Sequence, residues 1–283
     1  MNTTETTLKK VQIFEVLNFL QSERGFDFKP YRISMLGRRI DSRINATSTK
    51  NFSNYLAYLK TESKELDKLI DAFTINVSRF FRNNLVFELF RNNILQEILI
   101  RKQRSKDDQI RIWSAGTASG EEAYSAAIIL DEFNQKEKLN YDIKIFGTDI
   151  DSKSLQNAIG GLFKADTLRN VKLHQLEKYF TKEDGFYCCN EKLQSMVDFS
   201  TFNLLDQKRS SPPQSIFGSF DVIFCRNVLI YIDIAYQKAI FEKFYKVLQP
   251  GGFLILGESE VPVTSFKNKF KRYNKCCKIY QKG

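Results

Sequence analysis

The sequence predicts a doubly wound, mostly parallel α/β sheet with helices on both faces, preceded by an all-helical N-terminal domain. Three observations predict it. From about residue 109, the apolar runs IRIWSA, IKIFGTD, MVDFSTFN, FDVIFC and GFLILGES alternate with segments of helical period such as EEAYSAAIILDEF and IDIAYQKAIFEKFYKVL. Alternating units of this kind specify parallel strands joined by crossover helices. Residues 1 to about 75, by contrast, read as helical throughout. The chain of 283 residues, 42% apolar and 27% charged, has ample material for a core, and no run approaches the roughly 20 apolar residues that span a bilayer.

Taken in order, VQIFEVLNFLQ puts Val11, Phe14 and Leu17 on one side of a first helix, which Gly25 ends. A second helix starts after Pro30 with Ile33, Leu36, Ile40 and Ile44 on one face. Arg32, Arg39 and Arg43 form a ridge beside that face, since spacings of seven and four are nearly whole turns. A third helix covers roughly 51–60 and a fourth 64–73. IRIWSA is the first strand, and the helix after it offers Ala126, Ala127 and Leu130 for packing. IKIFGTD is the second strand, followed by a short helix from Ser152 to Ile159. Residues 160–196 have too little aliphatic periodicity for a crossover helix and read as a small inserted subdomain with a hairpin around Asp184-Gly185. Three more strands follow, the last two separated by the long helix that Pro250-Gly251-Gly252 stops. The chain end, KFKRYNKCCKIYQKG, alternates as an antiparallel edge pair. The predicted division is therefore a helical domain over 1–75 and an α/β domain over 76–283 with the insertion inside it.

Bulk properties narrow the function classes. MNTTETTLKK lacks the apolar stretch of a signal peptide, so a cytoplasmic location is expected. Five cysteines, two pairs of them adjacent, and the single His174 fit neither metal-ligand spacing nor a disulfide framework, so no metal is expected. The net charge of +10 suits nucleic acid, an anionic surface or an acidic protein partner, and does not choose among them.

In an open α/β sheet, ligands bind outside the carboxyl ends of the strands. After the first strand comes AGTASGEE, where Gly116 and Gly120 allow close backbone approach and a helix N-terminus points at the ligand. It lacks both G-x-G-x-x-G and the P-loop signature. After the second strand comes Asp149, placed to accept two ribose hydroxyls, although a helix N-cap is the plainer role for an acid there. Asn203 follows the third strand. In FDVIFCRNVLIY, Cys225, Arg226 and Asn227 interrupt an apolar run that resumes at once. Four consecutive strand ends carry polar or permissive groups, and an adenosine-type cofactor explains them economically.

TINVSRFFRN, RIWSAGTASGEEAYS, FGTDID, FSTFNLLD, FDVIFCRNVLIYID and LQPGGFLILGESE, in this order, resemble the CheR-type chemotaxis receptor methyltransferases over nearly the whole chain. The resemblance implies a class I, Rossmann-like methyltransferase domain with S-adenosyl-L-methionine as cofactor and S-adenosyl-L-homocysteine as product. It implies glutamate side chains in the cytoplasmic domain of chemoreceptors as substrate, converted to methyl esters. Carried over, Asn76, Ser78 and Arg82 would lie against the methionine end of the cofactor. Glu122 would hold its polar parts, Asp149 the ribose, and Asn203 and Leu204 the adenine. Arg226 and Asn227 would line the site, with Arg82 and Tyr231 as catalytic residues. Arg32, Arg39 and Arg43 would dock the acidic receptor helices. Ser78 stands where the family commonly has threonine, and Ala123 where it has proline; neither change removes a functional group. The hairpin FTKEDGFYCCN looks short for gripping a receptor tether, so tether-independent recognition is expected.

Carboxylate methylation needs no general base, since a glutamate is already an anion near pH 7, with a pKa of about 4.3. That suits a chain with one histidine outside every motif. Two rivals stand beside this reading. A nucleic-acid methyltransferase would suit the basic charge, but Ser211-Pro212-Pro213 is followed by Gln214 and not by an aromatic to stack a flipped base, and no nucleic acid partner is expected. A non-catalytic module that binds cofactor or receptor is the other. No membrane insertion is expected.

Overall fold

The computed structural model describes residues 3–74, 77–215 and 219–283, and it divides into two compact units. One comprises Met1–Ile75 with the short segment Ile230–Tyr236, and the other Asn76–Leu229 with Gln237–Gly283. No helix among the described residues is long and apolar enough to cross a membrane.

The first unit is built on α1 (Thr3–Arg24), α2 (Ile33–Thr47), α3 (Phe52–Thr61) and α4 (Ser63–Phe73). Gly25, at φ 74°, ends α1 with its N–H on the Gln21 carbonyl. The Asn51 side chain starts α3 by accepting from the Asn54 N–H at 2.9 Å, an N-cap bond. Leu17, Leu20, Leu36, Ile40, Tyr55, Leu59, Leu69 and Phe73 are all buried in one cluster. One expectation is corrected here. Val11 and Phe14 are 51% and 41% exposed, and the buried stripe of α1 is Ile13, Val16, Leu17 and Leu20. VQIFEVLNFLQ is apolar at enough positions to offer two stripes at helical spacing, and packing against α2 and α3 selects one. Residues of Ile230–Tyr236 cluster with these helices: the Arg32 N–H donates to the Tyr231 carbonyl at 2.9 Å, and Tyr31 and Ile232 form an antiparallel bridge.

The arginine ridge of α2 is not uniform. Arg43 donates Nε and Nη2 to the two oxygens of Glu65, each at 2.8 Å, and Glu65 is buried. The Tyr55 hydroxyl donates to the same carboxylate at 3.0 Å, and burial beside that anion holds the phenol well above its ordinary pKa. Arg43 is therefore occupied within its own unit. Arg32 is exposed, with Nε 3.4 Å from the Ile232 carbonyl, and Arg39 is half-buried.

The second unit opens with α5 (Asn84–Leu89), a π-helical turn (Phe90–Ile94) and α6 (Leu95–Ser105), helices in a stretch to which the sequence patterns assign nothing. Then come β1 (Gln109–Ala115), α7 (Glu121–Lys136), β2 (Asp142–Asp149) and α8 (Ser152–Gly160). The insertion holds β3 (Leu162–Lys164), α9 (Leu173–Tyr179), β4 (Phe180–Glu183), β5 (Phe186–Cys189) and α10 (Glu191–Ser195). The chain closes with β6 (Val197–Thr201), β7 (Phe220–Cys225), α11 (Ile234–Val247), β8 (Leu248–Leu256), β9 (Phe270–Arg272) and β10 (Ile279–Lys282).

The main sheet has seven strands in the order β6-β2-β1-β7-β8-β10-β9. The pairs from β6 through β8 are parallel, and β10 runs antiparallel to both β8 and β9. Strand order reverses between β1 and β7, which places the ligand crevice there. Alternation along the strands explains why both faces are covered. Ile112, Val222, Phe224, Phe253 and Ile255 join a cluster with Ile94, Ile98, Ala127 and Ile128 of the preceding helices. On the other face Trp113 meets Phe244 of α11 edge-on at 5.3 Å and Phe202 at 5.6 Å. The insertion forms its own three-stranded sheet, β3-β5-β4, and its hairpin turns through Asp184 and Gly185, both at positive φ. Pro250 does not stop α11 as expected. That helix already ends at Val247, and Leu248–Leu256 is strand, with a register irregularity between Phe220 and Val222 that absorbs the Pro-Gly-Gly segment.

The Glu65 carboxylate supplies a stability prediction. Arg43→Ala leaves a buried anion without its cation and should cost about 2–4 kcal/mol, whereas Arg39→Ala should stay within about 0.5 kcal/mol. Urea unfolding of the two variants measures both.

Candidate active site

The crevice is built from the four strand ends in turn. β1 ends at Ala115, and the Gly116 and Thr117 N–H groups both donate to the Thr148 carbonyl of β2, at 2.7 and 2.9 Å. The chain then turns through three left-handed residues, Gly116, Ala118 and Gly120, before α7 begins. At Gly116 a side chain is excluded twice: φ is 79°, and a Cβ would lie 2.3 Å from the Val228 side chain. The small-residue turn thus lets the segment after β7 approach the segment after β1.

Asp149, at the end of β2, faces this turn. One oxygen accepts the Ala118 N–H at 2.8 Å and the other the Asp151 N–H at 3.0 Å. A carboxylate offers about four acceptor sites, so acceptor capacity remains beyond these backbone bonds. Burial pushes its carboxyl above the usual range while the backbone donors pull it back. The helix cap that competed for Asp149 is supplied by Asp151, whose side chain accepts from Lys153 N–H. Beyond β6, Asn203 is exposed and closes a turn by accepting the Leu205 N–H, and Leu204 is buried.

Glu122 and Arg226 form the buried centre. Glu122 accepts from the Ser114 hydroxyl at 2.8 Å and from Arg226 Nη1 at 3.2 Å, so both its oxygens are engaged by the protein. Burial pushes the Glu122 carboxyl up, and Arg226 and Ser114 oppose that shift. Arg226 lies over the Phe87 ring, and its Nη2 donates to the Arg82 carbonyl at 2.6 Å. Glu122 therefore supports Arg226, and each of its oxygens keeps a further acceptor site. Arg82 itself bends its Nη1 back to the Val77 carbonyl at 3.0 Å.

A cavity of about 270 Å³ opens among Arg79, Arg82, Asn83, Asn170, Arg226, Asn227 and Glu258. Three arginines and one glutamate belong to its lining; Arg226 is paired with Glu122, and Glu258 is held by Asn83 Nδ2 at 2.7 Å. Asn227 sits at φ 61°, a conformation asparagine tolerates better than most residues. Its N–H donates to Glu260 at 3.0 Å, and the Gly257 N–H donates to the same oxygen at 2.6 Å. One buried carboxylate thus ties the end of β7 to the end of β8.

Of the residues the sequence singles out, Ser78, Arg82, Glu122, Asp149, Asn203, Leu204, Arg226 and Asn227 all belong to the second unit. Arg82, Arg226 and Asn227 share the cavity. Asn76 lies outside the described residues. Tyr231 belongs to the helical unit, where its ring packs beside the apolar cluster. Glu121 and Glu260 went unremarked in the sequence. Glu121 is buried, one carboxylate oxygen takes a bond from Ser78, and Oε2 has no hydrogen-bond partner. The signal for Glu121 was in GEE, where either acid could be the functional one. The signal for Glu260 was a carboxylate four residues past a strand end.

A seven-stranded sheet in this order, with a glycine-bearing turn after β1 and an acid after β2, defines a class I S-adenosylmethionine-dependent methyltransferase domain. The chain belongs to the CheR methyltransferase family: residues 76–278 match the model of the CheR methyltransferase SAM binding domain, and residues 13–74 that of its all-alpha domain. It is 31% identical to the chemotaxis protein methyltransferase of Borreliella burgdorferi, over 89% of each chain. It is 34% identical to chemotaxis protein methyltransferase 2 of Vibrio cholerae over 86% of this chain and 83% of that one. The chemotaxis protein methyltransferase of Escherichia coli is 29% identical over 91% of this chain and 87% of its own. The protein is thus a methyltransferase of chemotaxis that uses S-adenosylmethionine.

The residues fit that cofactor. Asp149 retains acceptor capacity for a ribose, and the orphan oxygen of Glu121 suits a cationic donor such as an ammonium. Glu122→Gln tests the buried centre. It removes the charge opposite Arg226 with little change of shape, and should lower stability by about 2–4 kcal/mol. Cofactor affinity, read by titration calorimetry on the folded variant, should fall with it.

Proposed function

We propose that this enzyme transfers the methyl group of S-adenosylmethionine to glutamate side-chain carboxylates on the cytoplasmic helices of chemoreceptors, forming methyl esters. The observation that carries the reading is the cavity's basic lining: Arg226 is paired with Glu122, which leaves Arg79 and Arg82 against the one carboxylate of Glu258, itself held by Asn83. Such a lining suits an anionic nucleophile that arrives deprotonated. When bound, the cofactor supplies an electrophilic methyl on a sulfonium, displaced in line by the carboxylate with the bonding pair returning to sulfur. The protein's task is positioning, and proximity alone can lower such a barrier by several kcal/mol.

Arg82 is proposed to hold a carboxylate, either the substrate's or the cofactor's, for which the guanidinium fork is shaped. Ser78 and Glu121, already hydrogen-bonded to each other, are proposed to meet the methionine end, together with Asn76. Asp149 takes the ribose, and Asn203 and Leu204 border the adenine. Tyr231 is proposed to orient the nucleophile near the methyl. Docking of acidic receptor helices is assigned to α2 through Arg32 and Arg39. Arg43 contributes less than the ridge suggested, because Glu65 engages it. Work in the cytoplasm is proposed with the substrate, since the receptor helices to be methylated lie there. Recognition independent of a receptor tether rests on the short β4–β5 hairpin alone.

Labelled S-adenosylmethionine incubated with a receptor cytoplasmic fragment should give base-labile label on the fragment. Label that resists base would indicate transfer to nitrogen and sink the ester reading; cofactor binding without any transfer would indicate a silent module. With the same assay, Asp149→Ala should weaken cofactor binding at least about 10-fold through lost hydroxyl contacts. Tyr231→Phe should bind nearly normally but turn over about 10- to 100-fold more slowly. Equal binding losses in the two variants would contradict the roles assigned.

A further inference from the structure

The loop that carries Arg82 adopts left-handed backbone at two residues, Phe81 at φ 49° and Asn83 at φ 61°. An aromatic residue in that region is held by its surroundings, since its own preference opposes it. Asn83 is tied by its own side chain to Glu258 and by its carbonyl to the Val86 N–H, and four hydrogen bonds hold the backbone of Phe80, Phe81 and Arg82. The Phe81 N–H donates to Ser125 Oγ of α7 at 2.9 Å, and Arg226 grips the Arg82 carbonyl at 2.6 Å. The other two come from the insertion: the Phe80 N–H donates to the Thr167 carbonyl at 3.0 Å, and Asn170 Nδ2 to the Phe81 carbonyl at 3.4 Å.

Packing follows the same division. The Phe80 ring is fully buried and meets Phe163 of β3 and Phe180 of β4 edge-on, with centroids 4.8 and 5.2 Å apart. Phe163 in turn meets Tyr124 of α7 at 5.7 Å. The strands of the insertion are only three or four residues long, and a sheet of that size has little stability alone. Its aromatic contacts with Phe80 and Tyr124 therefore serve both its anchorage and the loop's, beside polar bonds to α7 such as Tyr179 to Asp131 and Gln175 to Glu132.

We propose that the inserted subdomain is the frame that positions the Arg82 loop, with Phe80 as the buried positioning residue and Asn170, which also lines the cavity, as its hydrogen-bonded tie. The inference rests on the reading of Arg82 as a residue of the cofactor and substrate site. Phe80 touches no ligand in this account; it keeps the strained Phe81-Arg82-Asn83 segment from relaxing to ordinary backbone, and so keeps the guanidinium at the cavity. Ordinary core packing would give Phe80 a stability role without any specific tie to Arg82, and the two accounts differ in what a double variant does.

The full-length chain is tested as Phe80→Ala, Phe80→Leu and Asn170→Ala, alone and combined with Arg82→Ala. Titration calorimetry with S-adenosylmethionine and amide hydrogen exchange are the two readouts. A loop in its binding geometry one tenth of the time weakens affinity about 10-fold, the loss expected for Phe80→Ala. Phe80→Leu should recover most of it, and Asn170→Ala should lose about 3-fold. In the Arg82→Ala background neither positioning variant should weaken binding further. The Phe80 and Phe81 amides should lose protection while those of β1 and β7 keep theirs. Equal losses with and without Arg82, or unchanged protection at Phe80 and Phe81 in Asn170→Ala, would overturn the proposal. Should Phe80→Ala fail to fold, Phe80→Leu and Asn170→Ala carry the same comparison. If Arg82→Ala alone leaves affinity and turnover unchanged, the reading of Arg82 falls, and amide protection still decides whether the subdomain frames the loop.

Discussion

The buried ion pair between Glu122 and Arg226 is the constraint on which the methyltransferase unit's functional edge depends. Two ions out of water are costly unless each is paired and hydrogen-bonded. Here Glu122 is met by Ser114 of β1 as well as by Arg226, and Arg226 is met by the Arg82 carbonyl and the Phe87 ring. The pair therefore joins the end of β7, the first turn of α7 and the loop before α5. If any one of the three is displaced, a buried charge loses a partner. The same electrostatic demand that makes the pair expensive makes its geometry specific.

Around that centre, backbone conformations that cost energy gather at the ligand edge. Ala118, Phe81, Asn83 and Asn227 all lie at positive φ, and each is held by a hydrogen bond or packing from a different element. Asp149 holds Ala118, Ser125 holds Phe81 and Glu260 holds Asn227. Carboxylates at the ends of β2 and β8, themselves half-buried and buried, are thus used to shape backbone as much as to meet ligands. The chemistry explains why that suffices. An anionic nucleophile and an activated methyl need alignment in a charged cavity, and no histidine or metal has to be recruited to the edge.

The helical unit shows the opposite economy. Its arginines look equivalent in sequence, yet Arg43 closes over the buried Glu65, which Tyr55 also meets, while Arg39 has no such partner among the described residues. A basic face on a helix therefore contains both structural and free charge, and only the burial of the acid opposite tells them apart. α1 teaches the same point with apolar groups, since Ile13 and Val16 are buried where Val11 and Phe14 are not.

The alternation of strands and helices, the placement of Gly116, Asp149, Asn203 and Arg226 at strand ends, the hairpin at Asp184-Gly185 and the terminal edge pair were all determined by the sequence alone. Each depends on local chemistry: side-chain period, the freedom of glycine, the reluctance of polar groups to enter an apolar run. What only the tertiary structure decided were partnerships across long chain separations. Glu122 was found paired with Arg226, Arg43 turned inward to Glu65, Glu260 emerged as the tie between β7 and β8, and Phe80 was found seated between Phe163 and Phe180. The physical reason is that a carboxylate or a ring carries no mark of its partner in its own neighbourhood. Which guanidinium a buried acid meets is settled when the sheet brings distant segments within hydrogen-bond reach and water is excluded between them.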